Sequence, residues 1–548
     1  MSPQTSAFLL ISLPLFWAIL SWFSSKKATL FSTVNIEEVA IVGSITLLVV
    51  SLVTGLSSSM LTDEGTTAVG VMLVSISPMK AIVMLTVVAI GTILMRFSRN
   101  YLVGEACYPR FLRWMQLTLS SVVITILANH LIIFWAGWLA VSLSLHNLLL
   151  LYPERPRAII AAHKKFILAR TSECLMAGAF VLLFLTFDTL YIDEILYLVN
   201  EASQLSQSQS TFTNTQLTNT HLTNTHLTTY AACLISAAAL LKCAQLPAHG
   251  WLINIVEAPT PVSALLHAGV INLGGYLLLA FAPLIAVSPP AQWMLLAVAG
   301  LSVFFSALIM TTRVTIKVRL AWSTSSQMGL MLIECAMGLY SLALIHLVAH
   351  SFYKAYAFLN TGSAVYETLE HNISAHRAPL YADWLNAAFI TSLTIAASFS
   401  LSSYQGPASP WVLMALAFTS FLAMRTANSD QTQMYILVAI TIALVSFYAT
   451  IKGIIQSYIV PAYPAPIGMF SLMDIWVSAL LVTLFALHFA MQTFASHILV
   501  KRFKQLLFAG FYLDEWFTKV TLKLYPIPLR ERKTQGNHVA SVSKIGSK

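Results

Sequence analysis

Along nearly all of its 548 residues this chain repeats apolar stretches long enough to cross a bilayer, and that recurrence restricts the fold more than any other feature. A run of about 18 or more such residues crosses about 30 Å of hydrocarbon only as an α-helix, because no water is present to satisfy an open backbone. Spans fall near residues 6–23, 37–56, 69–95, 114–130, 131–152, 171–190, 230–246, 260–283, 292–311, 320–338, 340–363, 384–402, 410–424, 433–457 and 471–495. The expected fold class is all-α and polytopic, with about 13 to 15 crossings. At 57% hydrophobic and 9% charged residues, an ordinary soluble surface is excluded.

A net charge of +9 would point to nucleic acid if the 30 Lys and Arg formed one patch. They cluster instead at Lys26 and Lys27, from Arg96 to Arg113, from Arg155 to Arg170, from Arg313 to Arg319, and from Lys501 onward. If every span crosses, all these connections lie on one side, which the positive-inside rule assigns to the cytoplasm. Residues 171–241 hold no Lys or Arg but carry Asp188, Asp193, Glu194 and Glu201, so the 191–228 loop is expected outside. The N-terminus is then external and the C-terminus cytoplasmic. The apolar run from Ala7 to Phe23 has no basic residues before it and Lys26 and Lys27 after it, so it reads as a retained span. The segment from Ser203 to Thr229, with the repeat TNTQL, TNTHL, TNTHL, reads as a mobile low-complexity loop, and its His221 and His226 as part of a slipped repeat rather than metal ligands. Five cysteines (Cys107, Cys174, Cys233, Cys243 and Cys335) stand singly, without the spacing of a disulfide framework or a zinc site. Ile498 to Leu524 mixes basic and apolar residues and is expected along the cytoplasmic face.

A charge in hydrocarbon is costly unless paired or hydrated, so ionisable residues inside spans are functional candidates. Lys242 stands in KCAQLPAHGWL, where Pro247 interrupts the helix and frees carbonyls about a turn away. Irregular backbone at that depth is tolerated where protein or water covers it, which suits a hydrated ion site. In EAPTPVSALLHAG, Glu257 precedes a helix start and His267 lies farther in, both able to pass protons, although each alone reads as a cap or a satisfied core histidine. In HLVAHSFYKAYAF, His346, His350 and Lys354 recur at i, i+4 and i+8 on one helical face, about 6 Å apart per step. Waters could link them into a relay. Lys80 and Lys452 fit either a function or snorkelling to an interface, while Glu334, Lys317 and Arg319 fit either partners of this face or interfacial anchors, anchoring being favoured for the last two.

YLVGEACYPRF, ILANHLIIFWAGW, AAHKKFILAR, KCAQLPAHGWL, EAPTPVSALLHAG, IKVRLAWSTSSQMG and HLVAHSFYKAYAFLNTGS, in that order between about Val69 and Glu367, resemble the antiporter-like membrane subunits of respiratory complex I, of the subunit 5 type, and of Mrp antiporters. The resemblance implies two inverted five-helix repeats, each with a broken helix, over about 113–424. It also places the family's broken-helix lysine on Lys242, its helix histidine on His267 and its later relay on His346, His350 and Lys354. Lys164 and Arg170 match a family Lys and Arg, and Glu173 stands where the family has an aspartate. The implied organisation is 1–112 as N-terminal helices, 113–283 as a first repeat, 284–424 as a second, 425–496 as C-terminal helices, and 497–548 as a cytoplasmic segment and tail.

The departures are specific. Leu139 follows the Gly137–Trp138 pair where complex I has a glutamate, Asn129 and Thr315 stand where it has aspartates, and no charged residue occurs from Trp384 to Met424, where the second broken helix would carry a lysine. The shortened end and the tail GFYLDEWF are most similar to the DabB family, membrane subunits of a bacterial inorganic carbon accumulation system. That similarity implies a bacterial inner-membrane protein with no enzymatic chemistry or cofactor of its own. The partner it implies is a DabA-like zinc subunit similar to β-carbonic anhydrases. Two other readings are a complex I or Mrp-type ion-translocating subunit and a passive membrane anchor for a soluble enzyme.

Overall fold

The computed structural model describes residues 73–152, 154–208, 217–363, 379–401, 406–426, 431–458 and 467–526, together with the isolated positions 16, 19 and 369. The expected spans 6–23 and 37–56 otherwise lie outside the described residues, as does the tail beyond 526. Helix α1 (Pro78–Tyr101) starts at Ser77, whose hydroxyl accepts from Lys80 N, with Pro78 in the first turn, where a missing N–H costs nothing. Helices α2 (Tyr108–Leu127) and α3 (Leu131–Leu149) follow as an antiparallel pair. Two isolated bridges, Val74 with Ala128 and His130 with Tyr191, tie the ends of these helices together; no strand occurs among the described residues.

Helix α4 (Pro156–Phe187) departs from the sequence reading, which has residues 155–170 as a basic connection. Those residues form the first half of a continuous 32-residue helix. Pro156 opens it, no Gly or Pro interrupts it before Gly178, and Lys164 and Lys165 are buried against protein partners, so neither needs to reach solvent. The loop expected across 191–228 is also largely helical. Helix α5 (Ile192–Ser208) buries Ile192, Ile195 and Val199, spaced along one face, and α6 (Leu217–Lys242) begins inside the five-residue repeat; residues 209–216 lie outside the described residues.

Beyond α6 come a short helix α7 (Gly250–Asn254), then α8 (Thr260–Ala268), α9 (Leu273–Ala280) and α10 (Ala282–Ala286). The sequence reads 260–283 as one span; the structure divides it at Gly269 (φ −126°, ψ −73°) and a single 3-10 turn, Val270–Asn272. Helices α11 (Pro289–Met310), α12 (Ile316–Ala336) and α13 (Tyr340–Leu359) complete the packed centre, in which α8 and α9 are surrounded by α1, α6, α12 and α13. The apolar window of Thr260–Ala280 is 94% buried, against 11% for that of α16 (Gln431–Tyr458), which follows α14 (Tyr381–Leu401) and α15 (Ser409–Thr426) at the periphery. Helix α17 (Leu472–Thr493) then leads to an arm made of α18 (Ile498–Phe508) and α19 (Glu515–Leu524). Among the described residues, eight helices are long and apolar enough to cross a membrane, with α8–α9 counted as one, and the chain is a multi-pass, all-α membrane protein.

Candidate functional site

The break after Lys242 is built from three groups of residues. Ala244 takes a positive φ of 51°; Gln245 N still donates back to Leu240 O of α6 at 3.1 Å, and the groups on either side of it find partners on neighbouring helices. Leu246 N donates to Ser302 Oγ of α11 at 2.8 Å, and Ser325 Oγ of α12 donates to Ala244 O at 3.0 Å. Gln245 Nε2 donates to Cys243 O and Ser325 O, while its buried Oε1 has no partner. An interrupted helix is therefore held in protein, as irregular backbone at membrane depth must be.

Lys242 ends α6 with its ammonium 4.5 Å from the centre of the Trp138 ring, and its Nζ meets no hydrogen-bond acceptor among the described residues. An indole face holds a cation by about 0.5–2 kcal/mol, far less firmly than a buried carboxylate would. The nearest acid is on α4: Glu173, 3% exposed, paired with Arg170 at 2.8 Å. Arg170 also donates to Ser142 Oγ, and Lys165 donates to Ser142 O at 2.6 Å and to its Oγ at 3.1 Å. Lys165, Ser172, Trp138, Lys242 and Trp251 line a cavity of about 20 Å³, room for one water.

A second cluster lies across α8, α12 and α13. His267 is fully buried, stacks on Phe358 with ring centres 4.4 Å apart, and has Nδ1 3.1 Å from Thr324 Oγ1, leaving Nε2 without a partner. Lys354, also fully buried, donates to Ser323 Oγ at 2.8 Å and Leu320 O at 3.2 Å. Both ring nitrogens of His350 lack partners, and its ring centre is 6.2 Å from that of His346, as the i, i+4 spacing requires. His346 closes the row, with Nδ1 3.0 Å from Glu334 Oε1 and Nε2 3.0 Å from Gln327 Oε1. Between the two clusters runs the 3-10 turn after Gly269. There Asn272 Nδ2 donates to Ser351 Oγ at 2.6 Å, Asn272 Oδ1 is unpartnered, and Cys243 packs so close to Gly274 that a Cβ there would overlap its sulfur. Each buried polar atom left without a partner costs about 1–3 kcal/mol, and five of them (on Gln245, His267, Asn272 and His350) lie in this part of the packed centre.

The structure thus brings Lys242, Glu173, His267, His346, His350 and Lys354 into two neighbouring buried clusters. It places the other two sequence candidates elsewhere. Lys164 faces away from this line, donating to Asp514 Oδ2 at 2.6 Å and Thr518 Oγ1 at 2.7 Å on the C-terminal arm. Glu257 lies at the basic end of the bundle, 3.5 Å from Arg157, on the edge of a polar cavity of about 350 Å³ shared with Tyr101, Glu105, Tyr152, Arg155 and Lys317. Lys80 is buried and donates to Ser75 Oγ and Ala128 O at the opposite end. Lys317 donates to Thr260 Oγ1. Sequence reasoning passed over two residues: Lys165, which stands beside the motif lysine, and Asp474, which carried no motif at all. Its buried carboxylate accepts from Ala408 N and Ser409 N at 2.8 Å each and from Phe470 N at 3.0 Å.

Residues 128–401 match the family described as NADH:quinone oxidoreductase/Mrp antiporter, TM. Over 460 residues, 84% of this chain and 85% of the relative, it is 43% identical to a probable inorganic carbon transporter subunit DabB of Hydrogenovibrio crunogenus. This chain belongs to the DabB family within that antiporter-like superfamily. A second DabB relative, DabB2 of Halothiobacillus neapolitanus, is 32% identical over 79% of the chain and 77% of its own length. The likeness to NADH-quinone oxidoreductase subunit L of Mycobacterium tuberculosis is 30% over 52% of the chain and 42% of that protein. Solved folds agree: a chain of the Mrp complex from Dietzia sp. superposes with a TM-score of 0.57 at 19% identity, covering 96% of this chain and 60% of that one. A chain of the archaeal membrane-bound sulfane sulfur reductase superposes with a TM-score of 0.55 at 16% identity, covering 94% and 99%. In this DabB-family chain the uncharged positions have definite surroundings: Leu139 follows the Trp138 that carries the cation, and Thr315 stands before the first turn of α12.

Proposed function

We propose that this chain is the membrane subunit of an energy-coupled inorganic carbon uptake complex, and that protons or another cation crossing it drive a carbonic-anhydrase-like partner. The carbon substrate comes from the naming of its DabB relatives. The coupling rests on one observation above all: His267 and His350, buried beside Lys354, keep three imidazole nitrogens without protein partners on a route that starts at the Lys242 break. Neutral imidazole can both give and take a proton, so such nitrogens serve as relay points once water reaches them.

In this reading a charge arriving at Lys242 is held loosely over Trp138 and alters the field felt through the Gly269–Asn272 turn. His267 and His350 then pass the proton along α13 to His346 and Glu334. Arg170, Glu173 and Lys165 set the charge around the entry. The basic end faces the cytoplasm of a bacterial inner membrane, the N-terminus lies outside, and hydration chemistry belongs to a DabA-like subunit that carries zinc. Glu257 and the polar cavity beside it form the cytoplasmic mouth. The alternative of a complex I or Mrp-type subunit draws on the match to subunit L, and predicts activity independent of any carbon-handling partner.

The test is uptake of radiolabelled bicarbonate by cells that lack their own carbonic anhydrase and express the whole complex, with and without an uncoupler. Uptake that collapses with the uncoupler is expected. Uptake that persists unchanged after the gradient is dissipated rejects coupling and leaves a tether.

A further inference from the structure

The C-terminal arm meets the body of the protein directly beneath the break, through a cluster that the relay does not use. Lys164 is fully buried and donates to Asp514 Oδ2 and Thr518 Oγ1. Asp514 Oδ2 also accepts from Asn254 Nδ2 at 3.3 Å, and its buried Oδ1 has no hydrogen-bond partner. A Cβ at Gly250 would overlap the Asp514 carboxylate, so the first residue of α7 must be glycine for the arm to seat. One position earlier on α4, His163 stacks flat on Tyr525, with ring centres 4.5 Å apart. Around the corner, Arg313 donates to Leu507 O and covers Phe508 and Trp322, and His249 lies against Trp322. The arm therefore touches both flanks of the break: α4, which carries Lys165 to the Lys242 cavity, and α7, whose Trp251 lines the same cavity.

We propose that Asp514 is a positioning residue: the arm acts as a clasp that, through the half-buried Asp514 and Thr518 bonded to the buried Lys164 and through the side-chain gap at Gly250, holds the segment His249–Asn254 in the place that closes the Lys242 site at the basic end. The inference rests on the transport reading above, and it makes the arm part of the coupling machinery rather than a surface appendage. Neighbouring residues on a helix point about 100° apart. Pulling Lys164 toward the arm therefore also fixes where Lys165 points. Losing the clasp lets α7 swing, opens the break, and leaks charge past Lys242.

Cys243 is a built-in reporter, since it is fully buried in the break itself. In full-length protein with the other four cysteines changed to alanine, expressed with its partner subunits, the rate of Cys243 labelling by a water-soluble maleimide is read alongside bicarbonate uptake. Asp514→Asn and, separately, Gly250→Ala are expected to raise the labelling rate at least tenfold and to cut uptake, while Asp514→Ala combined with Gly250→Ala does no further harm than Asp514→Ala alone. Lys242→Ala is expected to abolish uptake with labelling unchanged. Normal labelling in Asp514→Asn at normal membrane abundance overturns the clasp while leaving the transport reading intact. Full uptake in Lys242→Ala overturns the transport reading instead. Failure of both clasp variants to accumulate in the membrane would assign the cluster to folding alone and would also reject the proposal.

Discussion

Two buried helix ends in this molecule solve the same backbone problem in opposite ways. After Lys242, the interrupted helix is backed by serines of α11 and α12, a lysine rests on an indole face, and the polar atoms beyond it are left partly unpaired. Between α14 and α15, the chain enters α15 at Ala408 and Ser409 with its N–H groups capped by the buried Asp474 carboxylate, and the nearby polar pair, Thr391 and Thr419, satisfy each other at 2.7 Å. A carboxylate that accepts three N–H bonds is held in one place by them. A lysine that rests on an indole face, with no carboxylate or carbonyl among the described residues holding its ammonium, is one that can respond. The difference teaches that a helix end deep in the protein can be finished by a carboxylate from a distant segment or left with polar atoms unpaired, and that the second arrangement leaves groups able to respond.

This contrast can be broken in order of expected effect. Lys242→Ala removes the responsive charge and should abolish uncoupler-sensitive bicarbonate uptake at normal membrane abundance, whereas replacing Thr391 with valine should leave uptake within about twofold, a change of under 1 kcal/mol. Equal losses from both would erase the distinction between the regions. His350→Ala should slow uptake by about tenfold to a hundredfold, in the range of a lost proton-transfer group; an unchanged rate would take His350 out of the relay. Asp474→Asn should lower the stability of the purified protein by about 1.5–3 kcal/mol, the usual worth of hydrogen bonds to a charged group, seen as a lower melting temperature with uptake per molecule retained. Loss of uptake without loss of stability would make the second region a working site. Trp138→Phe keeps a ring under Lys242 and should change uptake least, by a few-fold, in line with the loss of about 0.5–1 kcal/mol of cation–π attraction.

Much of this was legible in the residues. The span beginning at Leu131 and those from α11 to the end of α17 fall within a few residues of their expected positions, because apolar run length and helix geometry are local properties; α4 and α6 end near their expected ends but start more than a dozen residues earlier. The spacing of His346, His350 and Lys354 gave a common face without any tertiary knowledge, and Pro247 marked the first break. The second break, at Gly269, left no proline to announce it, since a run of apolar residues reads as one helix whether or not it is interrupted. The helix through 156–170 was hidden for a related reason: buried lysines look like a solvated connection until their partners are known.

By itself the sequence determined the class of the protein, the depth of Lys242 beside an interrupted helix, and the periodic row of titratable groups on α13, all of which depend on residues within a turn or two of one another. Only the tertiary structure decided that Lys165 rather than Lys164 joins the Lys242 cavity, that Asp514 closes on Lys164 from 350 positions away, and that Asp474 caps α15 across 65 positions. Those pairings join segments far apart along the chain. A contact of that kind is selected by the packing of whole helices against each other, and no local periodicity or spacing carries its signal.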